Sequence, residues 1–268
     1  VNFLNGNIKC DANSGLTGWN MSSCTGDLYF FNFNNCGISG AQTISLPFDG
    51  ALSCSIWLVN TLTNSWTLDI SAATGNFGAI RLNNSGISGN IVFPTITMAG
   101  AAAIFTLNNA PNVTGLDLSN ASGDLQWFDI GTCANLTGAL DLTGFTWQNN
   151  AIFYCDNNDI TSIDHTGTTG GDFDIYDCTN SNITGTHTMG TFTFDPDSSL
   201  LFRNNPLLTA LNFSNCSGEV RYLHFDRCNI SGVVDLTMFN FDTVNAQILC
   251  YENSGITGLS FSASATGN

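Results

Sequence analysis

The sequence predicts an all-β, or mostly β, parallel β-solenoid of about eleven rungs of about 24 residues, with two rung types alternating in a 48-residue unit. Three observations carry that expectation. An aliphatic residue, set just after Asn or Cys and before Thr or Ser and usually Gly, recurs at Leu16, Ile38, Leu62, Ile87, Val113, Leu136, Ile160, Ile183, Leu208, Ile230 and Ile256, at spacings of 22 to 26 residues. A longer period overlies it, because Ser22, Ser71, Ser119, Thr166, Ser214 and Ser262 recur every 47 to 49 residues. No stretch long enough for a helix shows apolar residues at 3.6-residue spacing.

Each rung opens on a short run in which apolar and other residues alternate. Examples are Phe31 and Phe33, Ile80 and Leu82, Phe105 and Leu107, Phe128 and Ile130, Phe173 and Ile175, and Leu223 and Phe225. Period-two patterning in aromatic and β-branched residues marks a half-buried strand, and one such strand per rung makes a parallel sheet. After the marker comes a second alternating segment, as in Leu68-Asp69-Ile70, Leu116-Asp117-Leu118, Leu140-Asp141-Leu142, Leu211-Asn212-Phe213 and Val234-Asp235-Leu236. A second parallel sheet is expected there. One rung type then makes a tight S-x-x-x-G turn ending at Gly26, Gly75, Gly123, Gly170 or Gly218. The other continues through an aromatic pair such as Phe145 and Trp147, Phe192 and Phe194, or Phe239 and Phe241. The remaining side is expected to be extended or irregular.

The pattern L-x-L-x-x-N/C-x-L followed by T-G-x-L resembles leucine-rich repeats, in particular the class, of bacterial or phage surface type, with a Thr/Ser-Gly step and a second short strand. The resemblance covers essentially the whole chain. It implies a curved solenoid with an inward Asn or Cys ladder, which would include Asn35 or Cys36, Asn84, Asn109, Cys133, Asn157, Cys178, Cys228 and Asn253. The chain departs from that family in its many aromatics and lack of an evident helix, and a parallel β-helix is the competing architecture.

Composition narrows the function classes. Apolar residues make up 43% and charged residues 10%, so solubility rests on Asn, Thr, Ser, Asp and Gly. Five Lys+Arg against 21 Asp+Glu give a net charge of −16, which repels phosphate backbones and anionic headgroups and argues against nucleic acid as a partner. No apolar run approaches the roughly 20 residues of a membrane-spanning helix, so no membrane insertion is expected. Residues 1–268 read as one solenoid domain, an excerpt or mature chain whose ends are capped by other segments or subunits. The ten cysteines sit at repeat-equivalent positions and read as small buried thiols rather than a disulfide framework.

Few residues suggest chemistry. Asp69, Asp117, Asp141, Asp164 and Asp235 occupy the outward position of the second strands, and Asp117, Asp141 and Asp164 fall on consecutive rungs. Stacked carboxylates repel one another, so these three are the candidate ligands for calcium, set against the simpler role of outward polar turn residues. Asp27, Asn76, Asp124, Asp172 and Glu219 form a second column after the turn glycines. His165, His187 and His224 lack metal-ligand spacing and read as isolated strand or surface histidines. No nucleophile elbow, phosphate loop or dinucleotide fingerprint occurs, so no catalytic residue, bound cofactor or enzymatic activity is expected. The expectation is therefore a non-enzymatic extracellular or cell-surface protein. It would be a scaffold for adhesion or recognition of protein or carbohydrate, or alternatively a self-associating subunit of a fibre, surface layer or virion appendage.

Overall fold

A computed structural model describes residues 1–48, 54–241 and 245–262, with the side chains of residues 62–64 outside that description. The chain is an all-β parallel β-solenoid with no helix among the described residues. It makes about ten turns rather than eleven. The difference lies in what the markers count. Eleven corners in the left-handed backbone region, at Ala12, Asn35, Asn60, Asn84, Asn109, Thr132, Asn157, Asn180, Asn204, Arg227 and Glu252, bound ten intervals of 23 to 25 residues. Each aliphatic marker lies two to four residues past one of these corners.

Two compact units divide the chain, Val1–Thr137 and Gly138–Asn268. In the first, the inward column of the first strands reads Phe31, Ile56, Ile80, Phe105 and Phe128, each in register with the next. In the second it reads Phe153, Tyr176, Leu200, Leu223 and Ile248. All but Ile248 are buried, and each large apolar side chain withdrawn from water contributes about 1.5–3 kcal/mol. The expected pairing of Phe173 with Ile175 as inward residues does not hold. A register shift between them turns Ile175 outward and brings Tyr176 into the core column.

Second strands pair as expected, Gly89–Val92 with Val113–Asp117 in the first unit and Ser231–Asp235 with Gly255–Ser260 in the second. The third side is more regular than the sequence suggests. Gly75–Phe77 pairs with Ile96–Met98, which pairs with Ala121–Gly123, and Thr169–Gly170 pairs with Thr191–Phe192. Glycine is needed where this side bends into the next first strand. At Gly123 φ is +107°, and a Cβ would strike the Met98 carbonyl of the previous rung. Gly218 repeats the arrangement against Phe194. Gly267, which follows Ser262 one residue later than the other turn glycines follow their Ser or Thr, lies outside the described residues.

The corner ladder splits into two adjacent columns. Asn35, Asn84, Asn109 and Asn157 take the left-handed conformation themselves, which Asn tolerates better than most residues. Their side chains bond rung to rung, Asn60 to Asn35 at 3.0 Å, Asn109 to Asn84 at 2.8 Å and Asn180 to Asn157 at 2.8 Å. One residue on, the inward ladder is built from Cys36, Cys133, Cys228 and Asn253. These donate to the backbone carbonyls of Cys10, Leu107, Phe202 and Phe225 in the preceding rung. Cys178 belongs to neither column, standing two residues before its corner at the end of a strand. All ten cysteines are free thiols and seven are buried.

Candidate functional site

The acidic column resolves into turn caps. Asp69, Asp117, Asp141, Asp164 and Asp235 each accept the backbone N–H two residues on, at 2.8 to 3.0 Å, from Ser71, Ser119, Thr143, Thr166 and Thr237. The hydroxyls of Ser119 and Thr143 add a second bond to Asp117 and Asp141, both at 2.7 Å. Hydrogen bonding to Ser119, first through its hydroxyl and then its backbone, holds the Asp117 carboxyl below its usual range. Asn212 does the same for Ser214, so the position selects an acceptor rather than a charge. Asp27, Asn76, Asp124, Asp172 and Glu219 stand exposed or half-buried at the entry to first strands. Among the described residues no three His, Cys, Asp or Glu side chains gather to hold a metal ion.

Two histidines are not isolated. In the second unit, His165 Nε2 lies 2.8 Å from the Tyr176 hydroxyl, which lies 3.0 Å from His187 Nε2, and all three side chains are buried. Each replaces an apolar residue in its column, so three polar substitutions on adjacent rungs satisfy one another. Nδ1 of His165 has no partner, so the least costly arrangement puts its proton on Nε2 and leaves Nδ1 a bare acceptor. Burial holds His165 well below its usual value, helped by the neighbouring His187, and brings His187 to about 4. Burial also pushes Tyr176 well above its ordinary value. The cluster is a neutral hydrogen-bonded unit at neutral pH.

A notch of about 420 Å³ is lined by Asp164, His165, Thr188, Gly190 and Asn215. A similar one of about 390 Å³ in the first unit is lined by Asp69, Ser71, Asn90, Pro94 and Asn120. Both arise where the middle rung lacks the Asp-x-Ser/Thr turn, at Thr188-Met189-Gly190 and Val92-Phe93-Pro94. Turns on either side then stand proud of the gap.

The outward face of the first strands is the least repetitive surface. In the first unit one outward column reads Phe30, Ser55, Ala79, Ile104 and Trp127, and its neighbour Asn32, Trp57, Arg81, Thr106 and Asp129. In the second unit the columns read Ile152, Ile175, Ser199, Tyr222 and Gln247, and Tyr154, Asp177, Leu201, His224 and Leu249. Most of these aromatic and aliphatic side chains are half-buried, whereas the second strands present mainly Asp, Thr and Ser, with Val92 and Val233 exposed among them. All five of the chain's cations stand on these strands or beside them. Arg81 lies over Trp57, Arg221 over Tyr222 and Arg227 over Tyr251, at 5.1 to 5.6 Å from the ring centroids. Arg203, Arg221 and Arg227 also pair with Asp226, Asp197 and Glu252.

Sequence reasoning missed this face, although a signal existed. Runs such as Trp127-Phe128, Ile152-Phe153-Tyr154 and Tyr222-Leu223 place apolar residues on both sides of a strand with only one side in the core. No protein-family model, curated protein or solved structure matches the chain.

Proposed function

We propose that the chain is a non-enzymatic recognition scaffold that binds carbohydrate through the outward face of its first strands, displayed on a cell surface or virion. The observation that supports this reading is the concentration of half-buried aromatics on that face, with the chain's five cations on it or beside it, in a chain of net charge −16. Trp and Tyr rings offer flat apolar platforms for the undersides of sugar rings, and the Asn, Thr, Asp and Arg side chains between them suit ring hydroxyls. A leucine-rich-repeat relationship of the surface type belongs to the same proposal. It is supported by one first strand per turn and by the inward Cys and Asn ladder at the corner.

The test is an array of immobilised neutral and acidic oligosaccharides probed with the labelled full chain. Binding is expected to fall at least tenfold in Trp127→Ala or Tyr222→Ala, about the loss of one stacked ring, and to survive Asp141→Asn on the other face. Failure to bind any glycan above background, or binding indifferent to both aromatic substitutions, would overturn the reading.

A further inference from the structure

Four adjacent first strands of the first unit place Trp57, Arg81, Thr106 and Asp129 side by side on the outward face, each in register with the next. Strand spacing sets such neighbours about 4.8 Å apart. Three of them carry a buried polar atom with no hydrogen-bond partner: Trp57 Nε1, Arg81 Nε and Thr106 Oγ1. Buried polar groups are rarely left unpaired, and two of the three, on Arg81 and Thr106 of neighbouring strands, line one cleft where a single bound group would complete both. All three can donate a hydrogen, so the missing partner is an acceptor.

Charge identifies that acceptor further. The other three arginines have carboxylate partners, but among the described residues Arg81 has no ion pair. Its guanidinium instead lies over the Trp57 ring, 5.2 Å from the centroid, which holds the planar fork in place. Beside it is a cleft of about 80 Å³ lined by Arg81, Asn83, Ile104, Thr106, Trp127 and Asp129. Thr106 is only 5% exposed, so its unpartnered hydroxyl belongs to the wall of the cleft and not to open solvent. Trp127, 40% exposed, forms another wall. The cleft is small enough to grip a carboxylate rather than a whole ring.

We propose that this cleft is a subsite for an acidic sugar, a uronate, which rests on the carbohydrate reading above and names its ligand class. The carboxylate accepts from Arg81 and Thr106, matching the guanidinium fork. The pyranose ring lies on the Trp127 indole. Asp129, whose Oδ1 already accepts from Asn108 Nδ2 at 3.1 Å and Gly131 N at 2.9 Å, repels the sugar carboxylate and receives a ring hydroxyl. The ligand is thereby held in one orientation, with its acid toward Arg81.

The full chain is titrated with sodium glucuronate, glucose and sodium acetate, followed by tryptophan fluorescence and calorimetry. Glucuronate is expected to bind saturably, with glucose and acetate each at least about tenfold weaker, because each lacks one of the two contacts. Arg81→Gln is expected to weaken glucuronate about tenfold or more, and Thr106→Val, which keeps the shape and removes the orphan hydroxyl, about threefold to tenfold. Unchanged melting temperatures in both variants assign the losses to binding. Absence of glucuronate binding, equal binding of glucose or acetate, or an unaffected Arg81→Gln variant overturns the subsite. Capture of neutral glycans on the array through Trp127 and Tyr222 without glucuronate binding would sink this inference alone, whereas an array silent toward every glycan sinks the broader reading.

Discussion

Lowering the pH from 7.5 to 5 should destabilise the fold through the buried His165–Tyr176–His187 cluster. The sign follows from the direction of the shifts. Burial lowers both histidine pKa values in the folded chain, so the unfolded chain binds more protons, and stability present above the unfolded value of about 6.5 is lost as pH falls toward 4. With His187 at about 4, that residue alone removes about 2 kcal/mol by pH 5, and about 3 kcal/mol once fully protonated. His165 acts in the same direction. Burial pushes the nearby Tyr176, Cys178 and Cys216 above their ordinary values, so they stay neutral across this range and offer no negative charge to hold an imidazolium. Relief of repulsion in a −16 chain, and protonation of Asp177 and Asp195, whose carboxyls burial holds above their usual range, oppose the histidine effect as pH falls, so comparison with a His187 variant is what isolates it. Urea denaturation followed by tryptophan fluorescence measures the difference. His187→Leu restores the residue type of its column neighbours Ile163 and Leu211 and should cut the pH-dependent loss by about 2 kcal/mol. An unchanged pH dependence in that variant would refute the reasoning.

Other predictions concern the repeat itself. Gly123→Ala forces a side chain into φ +107° and against the Met98 carbonyl, and should destabilise by about 2–4 kcal/mol in the same urea assay; a change below 1 kcal/mol would contradict the tight third-side corner. Asp141→Ala should cost about 1 kcal/mol through loss of the bonds to Thr143, while Asp141→Asn keeps an acceptor and should be nearly neutral. Millimolar calcium should leave the melting temperature unchanged, since each acidic side chain of that column is engaged in its own turn; a rise of several degrees would restore a metal role to Asp117, Asp141 and Asp164. Burial pushes Cys216 up to about 12 and Cys228 to about 11, so a thiol reagent at pH 8 should label the seven buried cysteines only after unfolding. Rapid labelling of Cys228 in the native chain would contradict its place in the inward ladder.

Much of the fold was legible in the sequence because the solenoid repeats its constraints. A left-handed corner every 23 to 25 residues selects Asn, and the position after it selects a small inward donor, so both leave periodic traces. The two columns merged into one in the sequence reading, since Asn35 and Cys36 are adjacent and only backbone geometry tells which faces inward. The register shift after Phe173 was invisible for the same reason, as alternation continues in letters while the backbone skips a residue. His165, Tyr176 and His187 lie eleven residues apart in turn and occupy three separate columns, so no local motif joins them. The outward face is hard to place from the sequence because the alternation of each first strand marks its inward members and leaves Trp57, Trp127 and Tyr222 without a period of their own.

Hydroxyl-radical footprinting with and without a glycan captured on the array tests the central claim most directly, because it reads side-chain exposure residue by residue. The expected result is loss of oxidation at Trp57, Trp127, Tyr154 and Tyr222 on the first strands, with Val92 and Val233 on the second strands unchanged. Protection of Val92 and Val233 with the four aromatics still oxidised would place binding on the second strands and contradict it.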